Sequence, residues 1–236
     1  MSSSTPSTTG RGHGGGDGLL ERLRRLDTCA VSDALDKHHL VGAIVGIGRL
    51  SAGGGTVAGR ATTVQLGTPP TDSEGPKRHL GSAAADAAGP SEVIVVANGG
   101  RTDCGSWGGL LSRGAAVRGV AGVVVDGAVR DVDEASEAGL PIFGRATTCV
   151  TARGRTAELA WGVPVEIDGI EIKPGDLVLA DSNGCVVVPE AVADQVLTTA
   201  EDIADKEHSM ARAIDAGSPV SVVMSGEYEE MTNGTK

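Results

Sequence analysis

The sequence predicts an α/β fold built in layers. Residues 93–97 and 123–125 are wholly apolar runs of Val, Ile and Ala, each ending at a Gly-containing turn and followed by a segment of helical period. A later series of short β-branched runs is joined by Asp168-Gly169, Pro174-Gly175 and Asn183-Gly184, and a long amphipathic segment closes the chain.

In chain order, residues 1–18 are rich in Ser, Thr and Gly without apolar periodicity and read as a disordered extension, lacking the apolar centre of a signal peptide. Residues 19–26 read as a helix with Leu19, Leu20, Leu23 and Leu26 on one side and Arg22, Arg24 and Arg25 on a solvated face. A second helix is expected over residues 32–38, with Ser32 as its N-cap. His38 and His39 at its end point apart and read as a surface pair rather than metal ligands. Residues 61–66 read as a strand, residues 68–81 as a loop, and residues 79–88 as a helix. The strand at 93–97 ends at the turn Asn98-Gly-Gly100, and the strand at 123–125 ends at the turn Asp126-Gly127. Helices are expected at 110–116 and at 132–138, the second stopped by Gly139. Short strands follow at 141–143, 163–167, 170–172, 177–181 and 185–189, then a helix over 190–216. Residues 19–225 read as one domain and residues 226–236 as a flexible tail, with no internal repeat.

Composition narrows the class. The chain of 236 residues is long enough to bury a substantial core, and no apolar run approaches membrane-spanning length, so cytoplasm is the expected compartment. A formal charge of -11 argues against a nucleic-acid partner, whose phosphates are bound mainly by Lys and Arg. Cys29, Cys104, Cys149 and Cys185 stand singly, without the close pairs of a zinc site or redox dithiol, and read as reduced, packed thiols. With two Trp, one Tyr and one Phe, the core must be Val, Leu, Ile and Ala, which bury less area per residue than rings do and favour association between subunits.

The stretch Gly122-Val-Val-Val-Asp-Gly-Ala-Val-Arg-Asp131 delivers two charged side chains just beyond a buried strand, where the backbone is fixed and the tips can reach a ligand. Arg130 offers a planar fork for a carboxylate, and Asp131 a hard oxygen for a cation. The same pair also fits the solvated start of a helix. Upstream, Gly105-Ser-Trp-Gly-Gly-Leu-Leu-Ser112 follows the other buried strand. There Gly108 and Gly109 let the backbone approach a ligand, and the amides of Gly109, Leu110 and Leu111 open a helix that could hold an anion. Close helix–sheet packing would equally explain the paired glycines. Cys104 lies near this loop, but no His stands in a recognisable relation to it as the base a thiol nucleophile needs.

Trp107-Gly-Gly-Leu-Leu111, Gly119-Val-Ala-Gly-Val-Val-Val-Asp-Gly-Ala-Val-Arg-Asp131, Gly139-Leu-Pro-Ile-Phe143 and Pro174-Gly-Asp-Leu-Val-Leu-Ala-Asp-Ser-Asn-Gly-Cys-Val-Val-Val-Pro189 together resemble the RraA-like family. That family holds class II 4-hydroxy-4-methyl-2-oxoglutarate aldolases, related oxaloacetate decarboxylases and the regulator of ribonuclease activity A. The resemblance implies a three-layer β/β/α sandwich of the swivelling-domain type, a homotrimer or dimer of trimers, and active sites at subunit boundaries. It implies that Asp131 ligates Mg2+ or Mn2+, that Arg130 binds and polarises the pyruvyl part of a small 2-oxo acid, and that the backbone of Gly108, Gly109, Leu110 and Leu111 holds its carboxylate. Aldolases of the family carry at the position of Gly109 an Asp that helps place a water on the metal, so this chain departs from them at the acid/base step. A Glu from a neighbouring subunit also enters the family site. Glu207 matches it by spacing, with Glu201 behind it.

The lysines agree with metal rather than Schiff-base chemistry. Lys37, Lys77, Lys173, Lys206 and Lys236 all lie outside the apolar strands, where an amine of depressed pKa would be needed. The first expectation is therefore a metal-dependent lyase that cleaves a C–C bond of a 2-oxo acid through a pyruvate enolate. The alternatives are a non-enzymatic protein-binding regulator on the same scaffold, or a member recruited to another small-carboxylate transformation.

Overall fold

The computed structural model describes residues 17–53, 55–69 and 79–225. These form, in chain order, α1 (Gly18–Leu23), α2 (Thr28–Lys37), β1 (Ala43–Ile44), β2 (Gly48–Arg49), β3 (Val57–Gly67), α3 (Ser82–Ala87), β4 (Glu92–Trp107), α4 (Gly109–Val117) and β5 (Gly122–Val129). There follow α5 (Val132–Glu137), β6 (Ile142–Thr147), β7 (Ala157–Trp161), β8 (Val165–Ile167), β9 (Ile170–Ile172), β10 (Leu177–Ala180), β11 (Cys185–Val188), a 3-10 turn (Glu190–Val192), α6 (Ala193–Asp215) and α7 (Val220–Val223).

Nine strands share one mixed sheet in the order β1-β11-β10-β3-β4-β5-β6-β2, with β7 pairing β3 off this path. The centre, β3 to β6, is parallel, as strands buried on both faces require, and β5 is buried along its whole length. Alternation along the strands sorts the core. Ile94, Val96, Val123 and Val125 pack with Ala84, Ala115 and Ala135 of α3, α4 and α5. Leu177, Leu179, Val186 and Val188 pack under α1, α2 and α6. The residues between them, among them Val93, Val95, Val124, Val178 and Val187, face the other way, onto the β8–β9 hairpin and Phe143. Helices on one face and a second β layer on the other give the predicted layered α/β architecture. The few aromatics leave aliphatic side chains to fill it, and Phe143 is the largest that is fully buried.

Several elements depart from expectation. α2 starts at Thr28 rather than at 32, and its N-cap is Asp27, whose side chain accepts from Ala30 N at 2.9 Å. Ser32 lies inside the helix. Asp126-Gly127 is no turn: both residues continue β5, because the Arg145 guanidinium meets Asp126 Oδ1 at 2.5 Å and Gly100 N donates to Oδ2 at 2.9 Å. Asn98-Gly-Gly100 does turn, with φ of 60° at Gly99 and 69° at Gly100, yet β4 resumes beyond it. β7, whose residues are half-exposed, carries too little apolar alternation to be seen in the sequence. Arg22 does not merely face solvent, for it bridges to Asp194 and Glu201 of α6, both at 2.7 Å. Cys104 and Cys185 are buried thiols, that of Cys185 pushed up to about 12 by desolvation, whereas Cys29 and Cys149 are exposed rather than packed.

Asp17 and Gly18, read as extension, are ordered parts of this structure: Asp17 pairs with Arg60 at 2.6 Å and Gly18 opens α1. The rest of the predicted extension, most of the 68–78 loop and the 226–236 tail lie outside the described residues. Among the described residues no helix is long and apolar enough to cross a membrane.

The extra turn of α2 rests on Asp181, which follows β10 and is 8% exposed. Its carboxylate accepts from Thr28 N at 2.9 Å, Thr28 Oγ1 at 2.8 Å and Asn183 N at 2.8 Å. Burial alone would raise this carboxyl, but these donors outweigh it and hold it below the ordinary range. A depressed native pKa gives stability that is present above the unfolded carboxyl pKa and lost as pH falls through the native one. Asp181→Asn should therefore cost about 2 kcal/mol in urea unfolding at pH 7, and the gap to wild type should narrow as the pH is taken below about 4.

Candidate active site

Arg130 and Asp131 are positioned by the parallel pairing of β4 and β5. The two strands run in register from Val93–Gly122 to Ala97–Asp126, after which β4 makes excursions and pairs again only at Arg101, Gly105 and Trp107. The Arg130 amide continues the ladder, donating to Trp107 O at 3.0 Å. This single bond sets the end of β5 beside the start of α4, so the two sequence motifs form one place.

Asp131 then takes a left-handed backbone conformation, with φ 59° and ψ 40°, and caps α5. Asp tolerates this region better than most residues, and such conformations gather at functional sites. Its Oδ2 accepts from Gly109 N and from Arg130 Nε, both at 3.1 Å. The two side chains are 36% and 33% exposed, so they are held yet open to ligand.

The glycines beneath them are bare for a steric reason. A Cβ on Gly105 would stand 3.1 Å from Arg130 Cγ, and one on Gly108 would stand 3.2 Å from both Arg130 Cγ and Asp131 Oδ2. At Gly109 a Cβ would overlap the carboxylate of Glu134, 2.8 Å from its Cδ, and lie 3.1 Å from Asp131 Cβ. These glycines thus make room for the charged side chains of the site, and helix–sheet packing does not account for them. The amides of the α4 start are also accounted for. Gly109 N is spent on Asp131 and Ser112 N donates to Gly108 O at 3.0 Å, so among the described residues the Leu110 and Leu111 amides are the ones left to meet an anion. Ser112, which the sequence analysis passed over, fixes the turn: its Oγ accepts from Trp107 Nε1 at 3.0 Å and donates to Gly108 O at 3.0 Å.

These residues line a cleft of about 680 Å³, a volume suited to a small metabolite. Its far wall comes from the 151–158 segment and from His79 and Leu80, none of which carries a sequence motif. Arg153 supplies a second cation there. Glu158 supplies a carboxylate whose Oε2 accepts from Gly81 N at 2.7 Å and whose Oε1 is buried without a partner among the described residues. Among the described residues no Lys lines the cleft, and Lys173 instead pairs with Glu171 at 2.9 Å on the surface. Cys104 is buried behind the cleft wall rather than on it, which removes it as a nucleophile.

Two predicted residues lie elsewhere on the chain. Glu201 is committed to Arg22, whose guanidinium holds its carboxyl below the ordinary range. Glu207 sits half-buried on α6, outside the residues that line the cleft, and burial together with the nearby Asp27 and Asp33 pushes its carboxyl up.

Comparison with known proteins identifies the family. The family described as RraA-like, Aldolase/RraA, matches residues 28–187, and the chain belongs to it. It is 31% identical over 197 residues to a putative 4-hydroxy-4-methyl-2-oxoglutarate aldolase of Halalkalibacterium halodurans, covering 83% of this chain and 88% of that one. It is 32% identical over 200 residues to protein DlpA of Legionella pneumophila; the match takes in 85% of this chain but spans only 32% of DlpA. The crystal structure of Streptomyces coelicolor RraAS2, described as an unusual member of the RNase ES inhibitor RraA protein family, superposes with a TM-score of 0.71 at 30% identity, over 84% of this chain and 98% of that one. The family thus includes proteins named as aldolases and proteins named as RNA-processing inhibitors.

The Glu207 environment has a measurable sign. A carboxyl whose native pKa is raised costs stability when ionised, a cost fully present above the native pKa and absent below the unfolded one. Glu207→Gln should raise the thermal midpoint at neutral pH, and the difference should close as the pH falls through the carboxylate range.

Proposed function

We propose that the protein is a divalent-metal-dependent lyase that cleaves a C–C bond of a small 2-oxo acid and releases pyruvate. The observation that carries this reading is the joint placement of Arg130, Asp131 and the amides of Leu110 and Leu111 on one wall of the cleft. The amides and the Arg130 fork suit the carboxylate and oxo oxygen of a pyruvyl group.

A divalent cation fits the donor set. Both hydrogen bonds to Asp131 fall on Oδ2, which leaves Oδ1 for a hard ion. Among the described residues no three His, Cys, Asp or Glu side chains converge into a closed site. One protein carboxylate with the remaining positions left to water and substrate is the pattern of Mg2+ or Mn2+. Such an ion, when bound, adds positive charge against the oxyanion that develops as the bond next to the oxo group breaks. The Arg130 guanidinium supplies fixed positive charge at the same place. The family's named 4-hydroxy-4-methyl-2-oxoglutarate aldolases support this substrate class.

Association of copies belongs to the same reading. Leu110 and Val117, seven residues apart on α4, are 80% and 83% exposed, apolar side chains on one side of the helix that a trimer would cover. Glu207 would then reach the cleft of a neighbouring copy. The likeness to RraAS2 favours a second reading, a protein-binding regulator on the same scaffold. Metal-dependent turnover separates the two.

Pyruvate release from oxaloacetate and from a panel of 4-hydroxy-2-oxo acids should require Mg2+ or Mn2+, cease in chelator and return when the ion is restored. Asp131→Asn should be folded and inactive. Arg130→Lys keeps the charge but loses the fork, and should lower kcat/KM by about 10²-fold or more. Activity that persists in chelator, or near-wild-type kinetics for Arg130→Lys, would remove the reading. In a shared site, Asp131→Asn and Glu207→Gln chains, each defective alone, should regain activity when unfolded and refolded together, and complementation that fails while mixed oligomers form would return Glu207 to a structural role.

A further inference from the structure

We propose that Glu134 is the base that takes the proton from the substrate's hydroxyl group during aldol cleavage. The inference rests on the lyase reading above and adds the residue that the cleavage step requires.

Glu134 lies in the first turn of α5, three residues after Asp131, the residue that precedes that helix. Its carboxylate occupies the space over Gly109 that any other residue's side chain would fill, beside Asp131 and at the first residue of α4. It is exposed and does not itself line the cleft, but its carboxylate lies against Gly109, which does.

The other groups at this end of the cleft cannot serve. The Arg130 guanidinium and the amides of Leu110 and Leu111 donate and do not accept. Asp131 has Oδ2 engaged by Gly109 N and Arg130 Nε, and Oδ1 is the oxygen left for the cation. Glu134 is the acceptor that remains, on a stem one methylene longer than that of Asp131.

The proton balance closes on this residue. The Glu134 carboxylate takes the hydroxyl proton of a 4-hydroxy-2-oxo acid, the C3–C4 bond breaks as the C4 carbonyl forms, and its electron pair becomes the enolate of pyruvate. Glu134 then returns the proton to C3, giving pyruvate and regenerating the carboxylate. Decarboxylation of oxaloacetate passes through the same enolate but has no hydroxyl proton to remove, so the two reactions depend differently on Glu134.

The test compares aldol cleavage with oxaloacetate decarboxylation in one Mg2+-loaded preparation, alongside Mn2+ affinity by titration calorimetry. In Glu134→Gln the ratio of aldol to decarboxylase activity should fall about 10²-fold or more, with Mn2+ affinity held within a few-fold. Formate should restore part of the aldol activity to Glu134→Ala, which a purely structural role would not allow. Gly109→Ala supplies a second variant that keeps every charge: its methyl would overlap the flexible end of Glu134 and stand 3.1 Å from Asp131 Cβ, so the protein should fold with the Glu134 carboxylate displaced and, with Mn2+ affinity held within a few-fold, show the same loss of ratio.

An unchanged ratio in Glu134→Gln, or a ratio that holds there and falls in Glu158→Gln or Glu207→Gln, overturns the inference and leaves the lyase reading standing. A loss of Mn2+ affinity beyond about tenfold with both activities falling together makes Glu134 a ligand instead and also overturns it. Wild-type protein that releases pyruvate from neither substrate overturns the lyase reading and this inference with it.

Discussion

The structure depends on how β4 and β5 keep company after their shared core ends. From Ala97 to Trp107, β4 spends far more chain than β5 does from Asp126 to Val129, so the surplus must leave the ladder and return to it. The return places Gly105, Gly108 and Gly109 directly under the Arg130 and Asp131 side chains, with the Arg130 amide bonded to Trp107 O. Parallel strands buried on both faces supply rigidity, and the excursion supplies the variable chain needed to build a cleft above them. The excursion is itself held by buried polar bonds: Asn98 Nδ2 donates to Ser106 Oγ at 2.8 Å, and Thr156 Oγ1 donates to Asn98 Oδ1 at 3.1 Å. Apolar packing fixes the strands, and a short set of hydrogen bonds fixes the site.

A buried charge does the equivalent work on the other face of the sheet. The Asp126 side chain is 3% exposed, and such a carboxylate is tolerable in a core only when fully partnered. Arg145 on β6 provides the counter-charge and also reaches Asp168 Oδ2 at 2.7 Å, in the β8–β9 turn, while Gly100 N fills the other Asp126 oxygen. The network ties the β4 excursion, β5, β6 and the hairpin of the second layer at one point. Sliding β5 by one residue would bury an unpaired Asp126, so the network penalises wrong registers more than it adds to stability.

Much of the architecture was legible from periodicity. The apolar runs at 93–97 and 123–125, the hairpin at Asp168-Gly169 and the long closing helix follow from side-chain pattern and turn chemistry, which act locally. The misreadings share a different origin. Asp126-Gly127 has the composition of a turn, but Arg145, 19 residues away, turns it into strand. Ser32 has the chemistry of an N-cap, but Asp27 and the distant Asp181 start α2 a turn earlier. In each case a non-local carboxylate or guanidinium overrode a local preference, which no window of sequence reports. For the site, Arg130, Asp131 and the Gly108–Leu111 backbone were legible because motif and strand end coincide. The far wall was not, since Arg153, His79 and Glu158 stand in segments without pattern and meet only through the fold.

Gly109 shows the limit of reading a site from residue identities alone. In the sequence it is an absence, a glycine where the family resemblance calls for a carboxylate. In the structure the same absence is a volume, and the Glu134 carboxylate fills it from 25 positions further along the chain. Backbone without side chains over Gly105, Gly108 and Gly109 lets three charged groups converge from one short segment, Arg130, Asp131 and Glu134, where side chains from both loops would collide. The charge on this wall of the cleft therefore comes from the β5–α5 junction, and the α4 start contributes amides and space. An Asp placed at 109 would contend with Glu134 for a single position and set two anions against each other beside Asp131, so the identity at 109 and the reach of Glu134 constrain one another.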